Sequence, residues 1–223
     1  MGDAVGQMLA SAVGIALSPM PLIAVILMLA TPQGRTNGPA FTGGWVAALG
    51  AVVAVVVSAG SGLSTGSAPP AWAWWLKLAL GALFLLLGFE QWRGRPREGH
   101  VHAPPTWMQA IDRFTPVRAA GLGAALVVAN PKNLVLAVGG AVSIATSTAS
   151  GGGKAGAAAL MVVIGSLCTV VPLAVSRFGG DRSTRVLGEW KAWMAAHNAA
   201  IMIVLLVVLG AKYLGDGIAG LTG

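Results

Sequence analysis

The sequence predicts an all-α integral membrane protein. Six transmembrane helices form two inverted three-helix repeats, with the first and fourth spans broken at proline motifs. Three observations predict this. Of 223 residues, 56% are hydrophobic and only 9% charged, whereas soluble domains carry about a quarter charged residues. Apolar runs of about twenty residues, the length that crosses a bilayer, recur along the chain. Two stretches, Ser18-Pro19-Met20-Pro21 and Asn130-Pro131-Lys132-Asn133, interrupt such runs at corresponding points of the two halves.

The first span is expected from about Val5 to Ala30, with its break past the middle. Thr31 to Pro39 reads as a turn by composition. The second span covers about Ala40 to Ala59, and its Gly43, Gly44 and Gly50 point to close helix packing. An uncharged Gly/Ser/Pro loop occupies Ser61 to Pro70. The third span opens on Trp72, Trp74 and Trp75, a cluster suited to the membrane interface. Lys77 in its first third is expected to snorkel outward, and Glu90 lies in its last turn. The fourth span runs from about Ala119 to Thr148, and the fifth from about Lys154 to Val175 with Pro172 near its end. A loop with Arg177, Arg182, Arg185 and Lys191 leads to a sixth span from about His197 to Leu214. The chain thus divides into repeat 1 (residues 1–92), a cytoplasmic linker (93–117) and repeat 2 (118–223), within one membrane domain.

The formal charge of +7 does not indicate nucleic acid, because the basic residues gather in loops on one side. That asymmetry places Arg35, the arginines of the middle loop and the basic residues after the fifth span in the cytoplasm, with both termini outside. The middle loop faces anionic lipid headgroups. Its His100-x-His102 is not read as a metal site, and neither metal nor cofactor is expected. Met1-Gly2-Asp3 lacks the basic start of a secretory signal. Cys168 lies in a predicted helix and reads as a buried structural thiol.

Proline removes a backbone donor and clashes one turn back, so the helix must break at Pro131. A lysine and two asparagines then stand at hydrocarbon depth, where broken backbone is tolerated only against protein or a wet cavity. Ionisable residues at that depth mark function by default. The halves align: Leu17-Ser18-Pro19-Met20-Pro21-Leu22 on Ala129-Asn130-Pro131-Lys132-Asn133-Leu134, and Leu87-Gly88-Phe89-Glu90 on Leu209-Gly210-Ala211-Lys212. Three spans per half makes the halves inverted, an architecture that places the substrate near the midplane at broken helices. Helix N-termini there favour an anion. The expected substrate residues are Ser18, Pro19, Pro21, Asn130, Pro131, Lys132 and Asn133. Arg35, Glu90 and Lys212 are candidate gate or interface residues, with Glu90 and Lys212 on opposite membrane faces. No acid is expected within the hydrocarbon stretch, so Lys132 would pair with a carbonyl, water or a substrate anion.

These motifs resemble the LysE-type exporter superfamily. The matches are Ser18-Pro19-Met20-Pro21, Gly34-Arg35-Thr36-Asn37-Gly38 and Asn130-Pro131-Lys132. Within it the chain is most similar to the actinobacterial GAP/Sap, or glycolipid-addressing, group, over Leu17 to Leu29 and Ala129 to Leu134. The resemblance implies export or flipping of a cell-envelope glycolipid across the plasma membrane, alongside larger lipid exporters. Met20 stands where amino-acid exporters of the superfamily carry glycine, which argues against a small zwitterion.

Three functions compete. The first is a secondary transporter or flippase for an anionic or lipid-linked substrate, the alternative within that class being a small-metabolite exporter of amino-acid type. The second is a lipid-acting enzyme, disfavoured because no nucleophile or carboxylate pair meets in the core. The third is an accessory factor for a larger lipid export machine. Helices rich in Gly and Ala also admit a homodimer.

Overall fold

A computed structural model describes residues 2–62, 71–94 and 111–222. In order the helices are α1 (Gly2–Ala16), α2 (Pro19–Leu29), α3 (Gly34–Gly62), α4 (Ala71–Arg93), α5 (Pro116–Val128), α6 (Pro131–Ala145), α7 (Gly151–Gly165), α8 (Leu167–Phe178) and α9 (Ser183–Thr222). Short 3-10 turns lie at Ile111–Arg113 and Gly180–Arg182. No strand occurs among the described residues. Three helices, α3, α4 and the α9 region, are long and apolar enough to cross a bilayer, and counting each bent pair as one span gives up to six. The expected loop over Ser61–Pro70 and the His100 and His102 pair lie mostly or wholly outside the described residues.

Two of the bends coincide with prolines. Pro19 and Pro131 each open a helix, where a missing N–H leaves no bond unmade. The chain turns by 47° between α1 and α2 and by 67° between α5 and α6. The third bend, 56° between α7 and α8, corrects the expectation of one helix from Lys154 to Val175. No proline sits at that junction. The Thr169 amide bonds the Ser166 carbonyl at 3.0 Å, which leaves the Gly165 carbonyl without its usual helical donor. The Trp45 indole Nε1 from α3 donates to it at 3.3 Å. Gly/Ser pairs are recognised kink sites, and here a tertiary donor takes the freed acceptor.

Two further boundaries differ from the sequence reading. The second span starts at Gly34, so Pro39 falls inside α3. Proline deprives the carbonyl four residues back of its donor, and Arg177 Nη2 donates to that carbonyl, of Arg35, at 3.3 Å. The arginine-bearing loop before the sixth span is instead helical from Ser183. Leu187 and Met194 are buried with Trp190 partly so, a helical spacing that the charges concealed. At 1.5 Å per residue α9 is about 60 Å long, some twice the hydrocarbon core.

Close approaches between helices depend on particular glycines. A methyl added at Gly44 in α3 would strike the Ala120 carbonyl of α5, and one at Gly123 would strike the Phe41 carbonyl. Gly43 has nothing within 4 Å, and neither does Gly50, so the packing reading holds for Gly44 and fails for its neighbours. Helices α4 and α9 share a second seam. A methyl at Gly81 would lie 3.0 Å from the Gly210 carbonyl oxygen, and one at Gly210 3.1 Å from that of Gly81. Lys77 does not snorkel: it is 3% exposed, its ammonium 4.7 Å over the Trp74 ring. Cys168 is buried, as expected.

Candidate functional site

The two breaks converge. Ser18 is the N-cap of α2 yet makes no cap bond with its side chain. Its hydroxyl donates to Asn133 Oδ1 at 2.6 Å and accepts from Lys132 Nζ at 2.9 Å. Asn133 Nδ2 donates to the Leu126 carbonyl at 3.0 Å, an acceptor that the break in α5–α6 frees. Asn130 holds the local turn: its Oδ1 accepts from the backbone N–H groups of Lys132 at 3.1 Å and Asn133 at 3.5 Å. Every polar side chain of the motif therefore has a structural partner. Ser18 is 2%, Lys132 7% and Asn133 1% exposed.

Burial of an ammonium is costly unless it is paired and hydrogen-bonded. Among the described residues no carboxylate lies within ion-pair distance of Lys132. The protein partner is not the carbonyl the sequence suggested but the Ser18 hydroxyl from the other helix pair. An ammonium has three donors, and Ser18 takes one. The N-termini of α2 and α6 add their positive ends at the same place.

Lys132 forms part of the wall of a cavity of about 370 Å³. Asn130 and Pro131 flank it there, Met20 enters from α2, and Leu87, Glu90, Gln91 and Gly94 come from the end of α4 and the residue after it. Asn198, Met202 and Leu206 of α9 complete the wall. Ser18, Pro19, Pro21 and Asn133 lie behind this surface rather than on it. Glu90, read as an interface or gate residue, shares the cavity with Lys132. Arg35 is exposed at the start of α3, outside the cavity. Lys212 is also outside it and pairs with Asp216 on the next turn of α9 at 2.6 Å. Asp216 lies beyond the expected end of the sixth span, so the reading that spans hold no acid missed it. Met20, Gln91 and Asn198 were missed as well. Asn198 carried a signal, as a carboxamide in an apolar run.

At the other end of the bundle, Lys154 Nζ donates to the Ala145 carbonyl at 2.6 Å. A lysine there closes the C-terminus of α6, where cations are favoured. No group of three or more His, Cys, Asp or Glu side chains suited to a metal occurs among the described residues.

Three to six helices able to cross a bilayer, with a buried lysine on a cavity wall where two bent helix pairs meet, define an all-helical membrane protein. The comparison with known families is specific within that class. The family described as Sap, sulfolipid-1-addressing protein, matches residues 8–219, and the chain belongs to it. No curated protein and no solved structure matches.

Proposed function

We propose that this protein is a secondary transporter or flippase that moves an anionic, lipid-linked substrate outward across the plasma membrane, with Lys132 at the substrate headgroup. One observation carries the reading: a buried lysine, bonded to the opposite helix pair and with no carboxylate partner among the described residues, stands on the wall of a cavity. A bound anion would supply the missing counter-charge. Met20, Leu87, Met202 and Leu206 line the same cavity, and their apolar surface suits the start of an acyl chain. The family's printed name refers to a sulfolipid, which fits an anionic head.

The contact pattern supports two inverted repeats. The second span of each half packs on the broken span of the other: α3 on α5 and α6, and α7 and α8 on α1 and α2. The third spans, α4 and α9, pack on each other. The same reading places the basic ends of α3, α8 and α9 in the cytoplasm and the termini outside. Addressing, the word in the family description, favours a second reading, an accessory role beside a larger lipid exporter. Reconstitution separates the two. A transporter alone in liposomes moves a fluorescent anionic glycolipid between leaflets, while an accessory factor leaves its distribution unchanged. Movement that persists at full rate in Lys132→Ala would remove the headgroup assignment.

A further inference from the structure

We infer that the structure is the inward-facing state and that the Ser11–Tyr213 hydrogen bond is the outer gate, a role no part of the family description assigns. This rests on the transport reading above. Ser11 in α1 and Tyr213 in α9 share a bond of 2.7 Å although 202 residues separate them. Both are buried, at 1% exposure each. The ring is clamped on two sides. Phe84 of α4 lies 5.6 Å away between centroids. A methyl at Gly139 of α6 would meet the Tyr213 hydroxyl oxygen at 2.5 Å. One side chain thus joins α1, α4, α6 and α9.

The repeat gives this closure its meaning. Aligned on Leu87-Gly88 and Leu209-Gly210, Glu90 corresponds to Lys212 and Gln91 to Tyr213. Glu90 and Gln91 line the open cavity. Of their counterparts, Tyr213 is sealed against Ser11 of α1, while Lys212 pairs with Asp216 one turn further along α9. Inverted-repeat transporters alternate access by rocking or gating one repeat against the other around a fixed site. The half that is open here exposes the Lys132 cavity at the end of α4, and the closed half must open for release. A bond that joins α1 to α9 in the closed arrangement favours that arrangement, so removing it should shift the balance toward opening.

Thiol accessibility tests this without any transport measurement. Ser143 of α6 is fully buried beside the same phenol. In a Cys168→Ala background, Ser143→Cys is expected to be nearly silent to a charged, membrane-impermeant thiol reagent. Adding Tyr213→Phe, which removes only the hydroxyl, should raise labelling from the side opposite the Lys132 cavity about fivefold, the shift expected for one hydrogen bond. Ser11→Ala removes the same bond from the other partner and should act alike, so a folding defect in one variant does not decide the matter. Equal labelling with and without the bond overturns the gate. Raised labelling together with full transport by Lys132→Ala keeps the gate and removes the headgroup reading.

Discussion

Lys132 and Ser18 stand 114 residues apart in sequence and 2.9 Å apart in space. The bond locks the first broken span to the second, and Asn133 closes the triangle through the same hydroxyl at 2.6 Å. Ser18 thus leaves its own helix without a side-chain cap and instead ties together a lysine and an asparagine of the other helix pair.

Ser18→Ala should therefore cost more than an ordinary cap substitution. It strands Lys132 Nζ and Asn133 Oδ1, both buried, and an orphaned buried group costs about 1–3 kcal/mol. Thermal unfolding in lipid nanodiscs is expected to shift downward by several degrees. Ser18→Thr, which keeps the hydroxyl, should recover most of the loss. An unchanged melting temperature in Ser18→Ala would mean that the bond is not formed in the membrane.

Asn130 acts on the backbone. Its carboxamide oxygen caps the first turn of α6, and replacing such a cap by alanine costs about 1 kcal/mol. Asn130→Asp or Asn130→Ser should retain stability while Asn130→Ala loses it. If Asn130 served the substrate alone, the three variants would melt together and differ only in transport.

The sequence disclosed the breaks at Pro19 and Pro131 because proline acts on the backbone locally, whatever surrounds it. It also singled out Lys132, because a lysine among apolar residues has few bland readings, and that lysine is buried on a cavity wall. It did not disclose the bend at Ser166. At that bend Trp45, 120 positions away, donates to Gly165, and no local pattern encodes a distant donor. The first half of α9 was concealed differently. Arg185, Glu189 and Lys191 suggested a loop, while Leu187, Trp190 and Met194 kept helical spacing beneath them. The partner of Lys132 escaped too, because a search for acids passes over a serine.

Trp45→Phe follows from that distant donor. Phenylalanine is smaller than the fully buried Trp45 and cannot donate, so a void opens and the Gly165 carbonyl keeps only the weak Cys168 Sγ donor at 3.5 Å. The expected loss is about 1–3 kcal/mol from the lost indole donor and the void together, read from thermal unfolding. Retained stability would show that water or another group can satisfy Gly165.

The α3–α5 contact makes a sharp contrast between adjacent glycines. Gly44→Ala places a methyl against the Ala120 carbonyl, while Gly43→Ala enters open space. Overpacking costs about 1–3 kcal/mol when neighbours can shift, and backbone shifts less readily than a side-chain tip. Gly44→Ala should reduce both yield and melting temperature, and Gly43→Ala should change neither. Equal behaviour of the two variants would mean that α3 and α5 do not approach as closely as described.

Glu90 tests the electrostatics of the cavity. It shares the wall with Lys132 and opposes any anion that enters. Charges across a water-filled space interact by about 1 kcal/mol or less, so Glu90→Gln should tighten binding of an anionic glycolipid by a few-fold. Lys132→Gln should weaken it further than Glu90→Gln strengthens it, because the lysine is buried and less screened than the exposed carboxylate. The two effects should shrink together as salt is raised, more so for Glu90. Binding measured by fluorescence quenching in nanodiscs reads all of these. Weaker binding in Glu90→Gln would reverse the assignment, since Glu90 would then be a direct ligand for hydroxyl groups on the headgroup rather than a charge that limits its affinity.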